Sequence, residues 1–255
     1  MQEFRPTRFQ ILPLVIKNLL IINGLVFLAQ NTIGGGENAM FNMDNLFALH
    51  TFQSQLFKPW QLVTHIFMHG DFGHLFSNMF ALWMFGSILE NVWGPKRFLI
   101  FYMSCGLGAA LCHMGVLYYE SEQMIREYST LTEAGLREFI VKYGTNIVGR
   151  IPITLDGAKD IVILNLNEAT LGASGAVFGC LAAFGYLFPN TLIYLYFFIP
   201  LKAKWFVIGY ALIELFAGIR NSAGDNIAHF AHLGGALVGI ILVYTWNKKN
   251  RRTFY

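Results

Sequence analysis

The sequence predicts an all-α membrane protein: six apolar spans gathered into one bundle, with both termini on the cytoplasmic side. Three observations carry this reading. Hydrophobic residues make up 55% of the 255 positions and charged residues only 13%, about half the charge of a soluble domain. Several separate runs approach the roughly 20 apolar residues that cross a bilayer. Lys and Arg also collect in alternate connections between those runs.

The spans fall at about 12–31, 72–90, 97–118, 170–188, 204–220 and 227–246, in a single domain over 1–255. The first follows Arg5, Arg8 and Lys17, a charged lead like that of a signal peptide. No small-x-small cleavage site comes after Leu19-Leu20-Ile21-Ile22, so it reads as an uncleaved span. The fourth exits at Pro189-Asn190, and Tyr194 to Ile199 then reads as an interfacial strand or partial helix ended by Pro200. Two connections are long. Residues 32–71 mix Phe, Leu and Trp60 with few charges, as suits a segment lying on the membrane surface. Residues 119–169 are more polar, and Met124 to Tyr143 carries an approximate helical stripe of Ile125, Tyr128, Leu131, Leu136, Phe139 and Ile140. Gly34-Gly35-Gly36 reads as a turn or hinge.

Charge sets the orientation. With the N-terminus inside, the inner segments hold Arg5, Arg8, Lys17, Lys96, Arg97, Lys202, Lys204, Lys248, Lys249, Arg251 and Arg252, which is 11 of the 18 basic residues. Only Glu3 and Glu90 join them there, so the positive-inside rule puts both termini in the cytoplasm. The net charge of +3 is small and dispersed, which gives nucleic acid no footprint. Cys105, Cys112 and Cys180 lie inside apolar runs and read as buried small hydrophobes, not disulfides or ligands. The compact length and the lack of an organelle-targeting segment suit a bacterial inner membrane, with a eukaryotic compartment as the alternative. Nothing in the residues speaks to oligomeric state.

Polar side chains inside spans face a bundle interior or a water-filled cavity. His74 and Asn78 are four apart at the start of span two, on one helix face, and His229 and His232 are three apart in span six. In the orientation above, spans two, four and six all enter from the outer side. Asn78, Ser174 and His232 then lie within about two turns of that entry, roughly 10 Å. A nucleophile, a base and amide or imidazole donors share one layer of the outer leaflet. Gly175 and Gly179 on span four, and Gly235 and Gly239 on span six, form small-xxx-small faces that let backbones approach closely. Packing through them would bring Ser174 to His232.

These residues resemble a known family. Gly-Ala-Ser-Gly at 172–175, His-Gly-Asp-Phe-Gly-His-Leu-Phe-Ser-Asn at 69–78 and His-Leu-Gly-Gly-Ala-Leu-Val-Gly at 232–239 look like the three signatures of rhomboid intramembrane serine proteases. Pro59-Trp60-Gln61-Leu62-Val63-Thr64, and Glu90 with Gly94 and Arg97, are similar to further family features; the resemblance covers about 55–245. It implies a six-helix rhomboid-like bundle with a Ser–His dyad. Ser174 takes the place of the nucleophile and His232 that of the general base. His74, Asn78 and the Ser174 backbone N–H match the oxyanion donors, while His69, Gly172, Gly175, Phe178 and Gly235 match supporting positions. Family members often carry Tyr four residues after the serine, where Phe178 stands here; its ring can stack on the base but offers no hydroxyl. The resemblance also implies that substrates are transmembrane segments entering between spans two and five, past a mobile fifth span, and cut near the outer face.

No acidic residue lies near His232 in the sequence, so packing is expected to hold the imidazole. Glu214 reads as a paired group between helices, outside the chemistry, and His229 as an alternative base. Five histidines in or near spans two and six invite a metalloprotease reading, but no His-Glu-x-x-His motif supplies the general-base carboxylate. Neither metal nor cofactor is expected. The spans contain no Asp for an aspartyl protease. The remaining alternative is a catalytically inactive relative or a transporter, for which Glu214, Asn23 and the histidines would serve as an ion path.

Overall fold

A computed structural model describes residues 9–33, 42–144, 151–195, 198–220 and 228–250. The glycine run at 34–36, Asn226, Ile227, Arg5, Arg8, Arg251 and Arg252 lie outside the described residues. The chain is mostly helical. Among the described residues, four helices are long and apolar enough to cross a membrane: α1 (Leu14–Thr32), α4 (Phe72–Trp93), α5 (Pro95–Ser129) and α10 (His229–Asn250). The short helices α2 (Met43–Phe47) and α3 (Gln61–Thr64) lie between the first two. Beyond α5 come α6 (Leu136–Tyr143), α7 (Leu155–Leu166), α8 (Ser174–Leu187), the hairpin β1 (Leu192–Leu195) and β2 (Ile199–Lys202), and α9 (Ala203–Arg220).

The helix at the expected fourth span is shorter than its apolar run. Residues 170–173 are not helical, and α8 has 14 residues, about 21 Å against a hydrocarbon core of about 30 Å. It can be short because it is central. Gly175, Ala176, Gly179, Cys180, Ala182, Ala183 and Phe184 are all buried, between α5 on one side and α10 on the other. The lipid-facing helices instead turn Leu25, Leu28, Phe76, Leu212, Phe216 and Ile241 outward. The third span is longer than expected: α5 has 35 residues, about 52 Å. Its far end, with α6 and α7, builds a second core of Met124, Leu136, Phe139, Ile140, Ala158 and Ile161. The stripe over Met124 to Tyr143 therefore faces this cap, but as two helices instead of one. The chain breaks at Thr130, and a 3-10 turn at Glu133–Gly135 redirects it. The stretch after Asn190 is a strand: β1 pairs antiparallel with β2, Leu192 opposite Lys202 and Leu195 opposite Ile199.

The end of α4 holds the end of the bundle farthest from Ser174. Gly94 turns the chain with φ 81, a conformation that penalises any side chain, and Pro95 starts α5 at its first position. Arg97 lies 4.3 Å over the Trp246 ring, joining α5 to α10. Glu90 is 2% exposed, and its two carboxylate oxygens accept from the Val15 and Ile16 N–H groups, each at 2.9 Å. Those donors belong to the first turn of α1, which has no helical partner for them. Glu90→Ala would strand both in the interior. We expect it to destabilise the fold by about 3–5 kcal/mol, since a hydrogen bond to a charged group contributes about 1.5–3 kcal/mol. A lowered unfolding midpoint in mild detergent checks this; an unchanged midpoint would show that α1 is held by lipid-facing packing alone.

Candidate active site

The site forms where the first turns of α4, α8 and α10 meet. Each is positioned by its own sequence. Asp71 caps α4, its Oδ1 accepting from the His74 N–H at 2.8 Å, so His74 stands in the first turn and Asn78 one turn on. Ahead of α8 the chain is pinned: Leu49 and Thr170 exchange two backbone hydrogen bonds of 2.8 Å, and the Gly172 N–H donates to the His65 carbonyl at 3.0 Å. The family-like Pro59–Thr64 stretch serves the same end. Gln61 is fully buried and its amide holds the Asn45 and Leu56 carbonyls, at 3.1 and 2.9 Å, folding 45–61 back under the site.

Gly172 has φ +129, and a Cβ there would sit 2.8 Å from His74 Cε1 and Nε2 and 3.6 Å from Ser174 Oγ. Only glycine leaves that space open. The gap is thus bordered by the serine hydroxyl on one side and the His74 ring on the other. No side chain caps α8, so the N–H groups of its first turn, Ser174 included, have no helical partner.

Glycine packing supplies the remaining contact. A Cβ at Gly235 would collide with the Gly175 carbonyl, and one at Gly239 would lie 2.7 Å from the Gly179 oxygen. The α8 and α10 backbones therefore touch. His232 Nε2 lies 2.8 Å from Ser174 Oγ, and the Phe178 ring stacks on the imidazole at 4.2 Å with an interplanar angle of 3°. Tyr210 of α9 packs tilted against Phe178, ring centres 4.9 Å apart.

The expectation that packing alone holds His232 is corrected. Its Nδ1 lies 2.9 Å from Glu214 Oε2, and His229 Nδ1 lies 2.7 Å from the same oxygen. Eighteen residues of sequence separate Glu214 from His232, and only the antiparallel return of α9 and α10 brings them together. A signal was present: an acidic residue in one span beside a span with two histidines three apart. These three side chains offer donor atoms within 4.8 Å of one another, a set that could also hold a divalent ion. His229 directs its Nδ1 at the carboxylate, not at Ser174.

His74 receives the Gly70 N–H at Nδ1, at 3.5 Å, which leaves Nε2 as the N–H that faces the gap. Asn78 is buried, and its Nδ2 donates to the His74 carbonyl at 3.0 Å, using one of two amide hydrogens. His69 packs edge-on against His74, ring centres 5.1 Å apart. Gln30 of α1, unmarked by the sequence reading, clamps the His69 backbone, accepting its N–H at 3.0 Å and donating to its carbonyl at 3.3 Å. Burial pulls the His69 and His65 imidazoles down to about 4, so both are neutral at pH 7 and neither adds positive charge beside the gap. Behind Ser174, toward α5, a cavity of about 20 Å³ is lined by His65, His113, Thr170 and Gly172. It has room for one water molecule.

The sequence is similar to those of known proteins. The Rhomboid domain family matches residues 56–249. The chain belongs to the rhomboid family. RHOMBOID-like protein 12, mitochondrial, of Arabidopsis thaliana is 29% identical over 231 residues, covering 89% of this chain and 56% of that protein. Rhomboid protein 1, mitochondrial, of Saccharomyces cerevisiae is 28% identical over 191 residues, 72% of this chain and 40% of its own length. Rhomboid protease GluP of Bacillus subtilis is 32% identical over 82 residues, 31% of this chain and 16% of that one. The chain thus spans about half the length of the first two relatives. The expectation of a bacterial inner membrane draws no support from the plant and yeast relatives, whose names are mitochondrial; what the helices and the family support is an integral membrane protein.

Proposed function

We propose that this rhomboid is an intramembrane serine endopeptidase, with Ser174 as nucleophile and His232 as general base. The observation that carries the reading is the 2.8 Å contact between Ser174 Oγ and His232 Nε2, made at the head of a buried helix and beside an open gap. Attack by Ser174 Oγ on a peptide carbonyl passes its proton to His232. The oxyanion then faces the His74 Nε2–H, with the Ser174 backbone N–H and the second Asn78 amide hydrogen as further donors. His232 returns the proton to the leaving amine as the C–N bond breaks, giving an acyl-enzyme. Water attacks the acyl carbonyl with the same histidine as base, and the serine is released.

Six spans, with α8 and α9 as the fourth and fifth and both termini cytoplasmic, would open the site to the outer side. The substrate class is a transmembrane segment whose helix unwinds there, because a helical backbone hides its carbonyls in its own hydrogen bonds. Neither step draws on a metal or cofactor.

A fluorophosphonate probe tests the reading in the purified, membrane-reconstituted protein. Wild type should label covalently and Ser174→Ala should not. Equal labelling of the two would remove Ser174 from its role, and a wild type that neither labels nor cuts a panel of transmembrane segments would mark a binding protein instead.

A further inference from the structure

The mechanism so far leaves a buried carboxylate without a task. Glu214 lies within α9, 5% exposed, in a region where charged side chains are costly and seldom kept without a purpose. Its plainest purpose would be to tie α9 to α10. Two features go beyond that. The contact falls on His232 Nδ1, the atom whose hydrogen decides whether Nε2 can act as a base. With Nδ1–H donated to the carboxylate, Nε2 must present its lone pair, and the Ser174 hydroxyl is there at 2.8 Å. Moreover, the imidazolium formed during attack would otherwise be a bare charge in an apolar bundle. The stacked Phe178 ring can fix the plane of the imidazole, but a π face selects no tautomer.

We propose that Glu214 is a positioning residue of the active site, completing a Ser174–His232–Glu214 chain, and that His229 is the second anchor of its carboxylate. The inference rests on the serine-protease reading above. Glu214 takes no proton in this scheme: it orients and stabilises, as the acid of a serine-protease triad does. One hydrogen bond would leave a flexible glutamate free to swing. A second, from His229 one turn away on the same helix and to the same oxygen, holds it in line.

The titratable groups around this chain are Tyr210 on α9, His229 on α10, His74 on α4 and His113 on α5, besides Ser174 itself. Glu214 is the acid among them, so its removal takes away the carboxylate that faces His232 Nδ1. Glu214→Gln removes the charge and lets an amide N–H turn toward Nδ1, where it favours the unproductive tautomer. The expected result is a kcat about 10²- to 10⁴-fold lower, by comparison with the roughly 10⁴-fold loss when a triad acid becomes an amide. KM should stay within about threefold, since no substrate contact is touched. Glu214→Asp should recover part of the rate, and His229→Asn should cost less than Glu214→Gln. A Glu214→Gln variant with wild-type kcat would return Glu214 to a purely structural tie. ¹⁵N NMR of labelled histidine in the wild-type protein gives an answer that needs no variant to fold and no activity. His232 should carry its hydrogen on Nδ1 at neutral pH, and a hydrogen on Nε2 would overturn the proposal. Absence of any Ser174-dependent labelling in wild type would instead strike the serine-protease reading, leaving the tautomer measurement to judge Glu214 by itself.

Discussion

Alanine at Ser174, at His232 or at both is expected to lower kcat on a transmembrane substrate by about 10⁴-fold or more, with the double variant no slower than the worse single one. The reason lies in the 2.8 Å contact. A serine without its base is a neutral alcohol, and a histidine without its nucleophile has no proton to take, so either loss disables the same step. In a serine protease whose nucleophile and base act as a unit, single and combined removals cost nearly the same, about 10⁶-fold, and the residual rate comes from oxyanion binding. Kinetics in proteoliposomes at saturating substrate check this. Losses that multiplied in the double variant would mean that Ser174 and His232 act separately, and the site would need a different base.

The second large effect is expected at Gly235. A Cβ there would collide with the carbonyl oxygen of Gly175, and with its carbonyl carbon at 2.7 Å. These are backbone atoms in a central helix, so no side-chain rotation relieves the clash. Within a membrane, helices are held largely by close packing, not by a hydrophobic drive between them. Parting α8 from α10 would forfeit those contacts along the Gly175–Gly179 and Gly235–Gly239 faces. Gly235→Ala should therefore destabilise the protein by about 3 kcal/mol or more, at the upper end for overpacking, and should open the Ser174–His232 contact even where the fold survives. Gly24→Ala is the control: nothing lies within 4 Å of its added methyl group and alanine favours the helix interior, so its unfolding midpoint should be no lower than wild type and its labelling rate should match. A Gly235→Ala protein that melts and labels like that control would show that the two helices do not meet through these glycines.

Much of this arrangement was legible because it is encoded locally. The apolar runs that became α1, α4, α5 and α10 are continuous in sequence, and hydrocarbon demands a helix of any such run. Asp71, His74 and Asn78 share one capped helix face, and the offsets from Ser174 to Gly175 and from His232 to Gly235 are helix geometry. Other features depend on partners far along the chain. The apolar run before Ser174 gave no sign that Thr170 would pair with Leu49 and delay the helix start. The stripe over Met124 to Tyr143 gave no sign of the break at Thr130 that divides it between α5 and α6. Gln30 showed no pattern, because its value lies in reaching the His69 backbone across 39 residues.

The residues alone therefore determined a helical membrane chain of the rhomboid kind, which serine and histidine are its candidates, and the glycine faces able to join them. Those are properties of single helices, readable from period and composition. Tertiary structure decided how short and central α8 is, which space Gly172 leaves open, and that His232 meets a carboxylate. Spacing within a helix fixes which side chains share a face, but the partner of an imidazole nitrogen is set by a neighbouring helix whose rotation and depth no local pattern records.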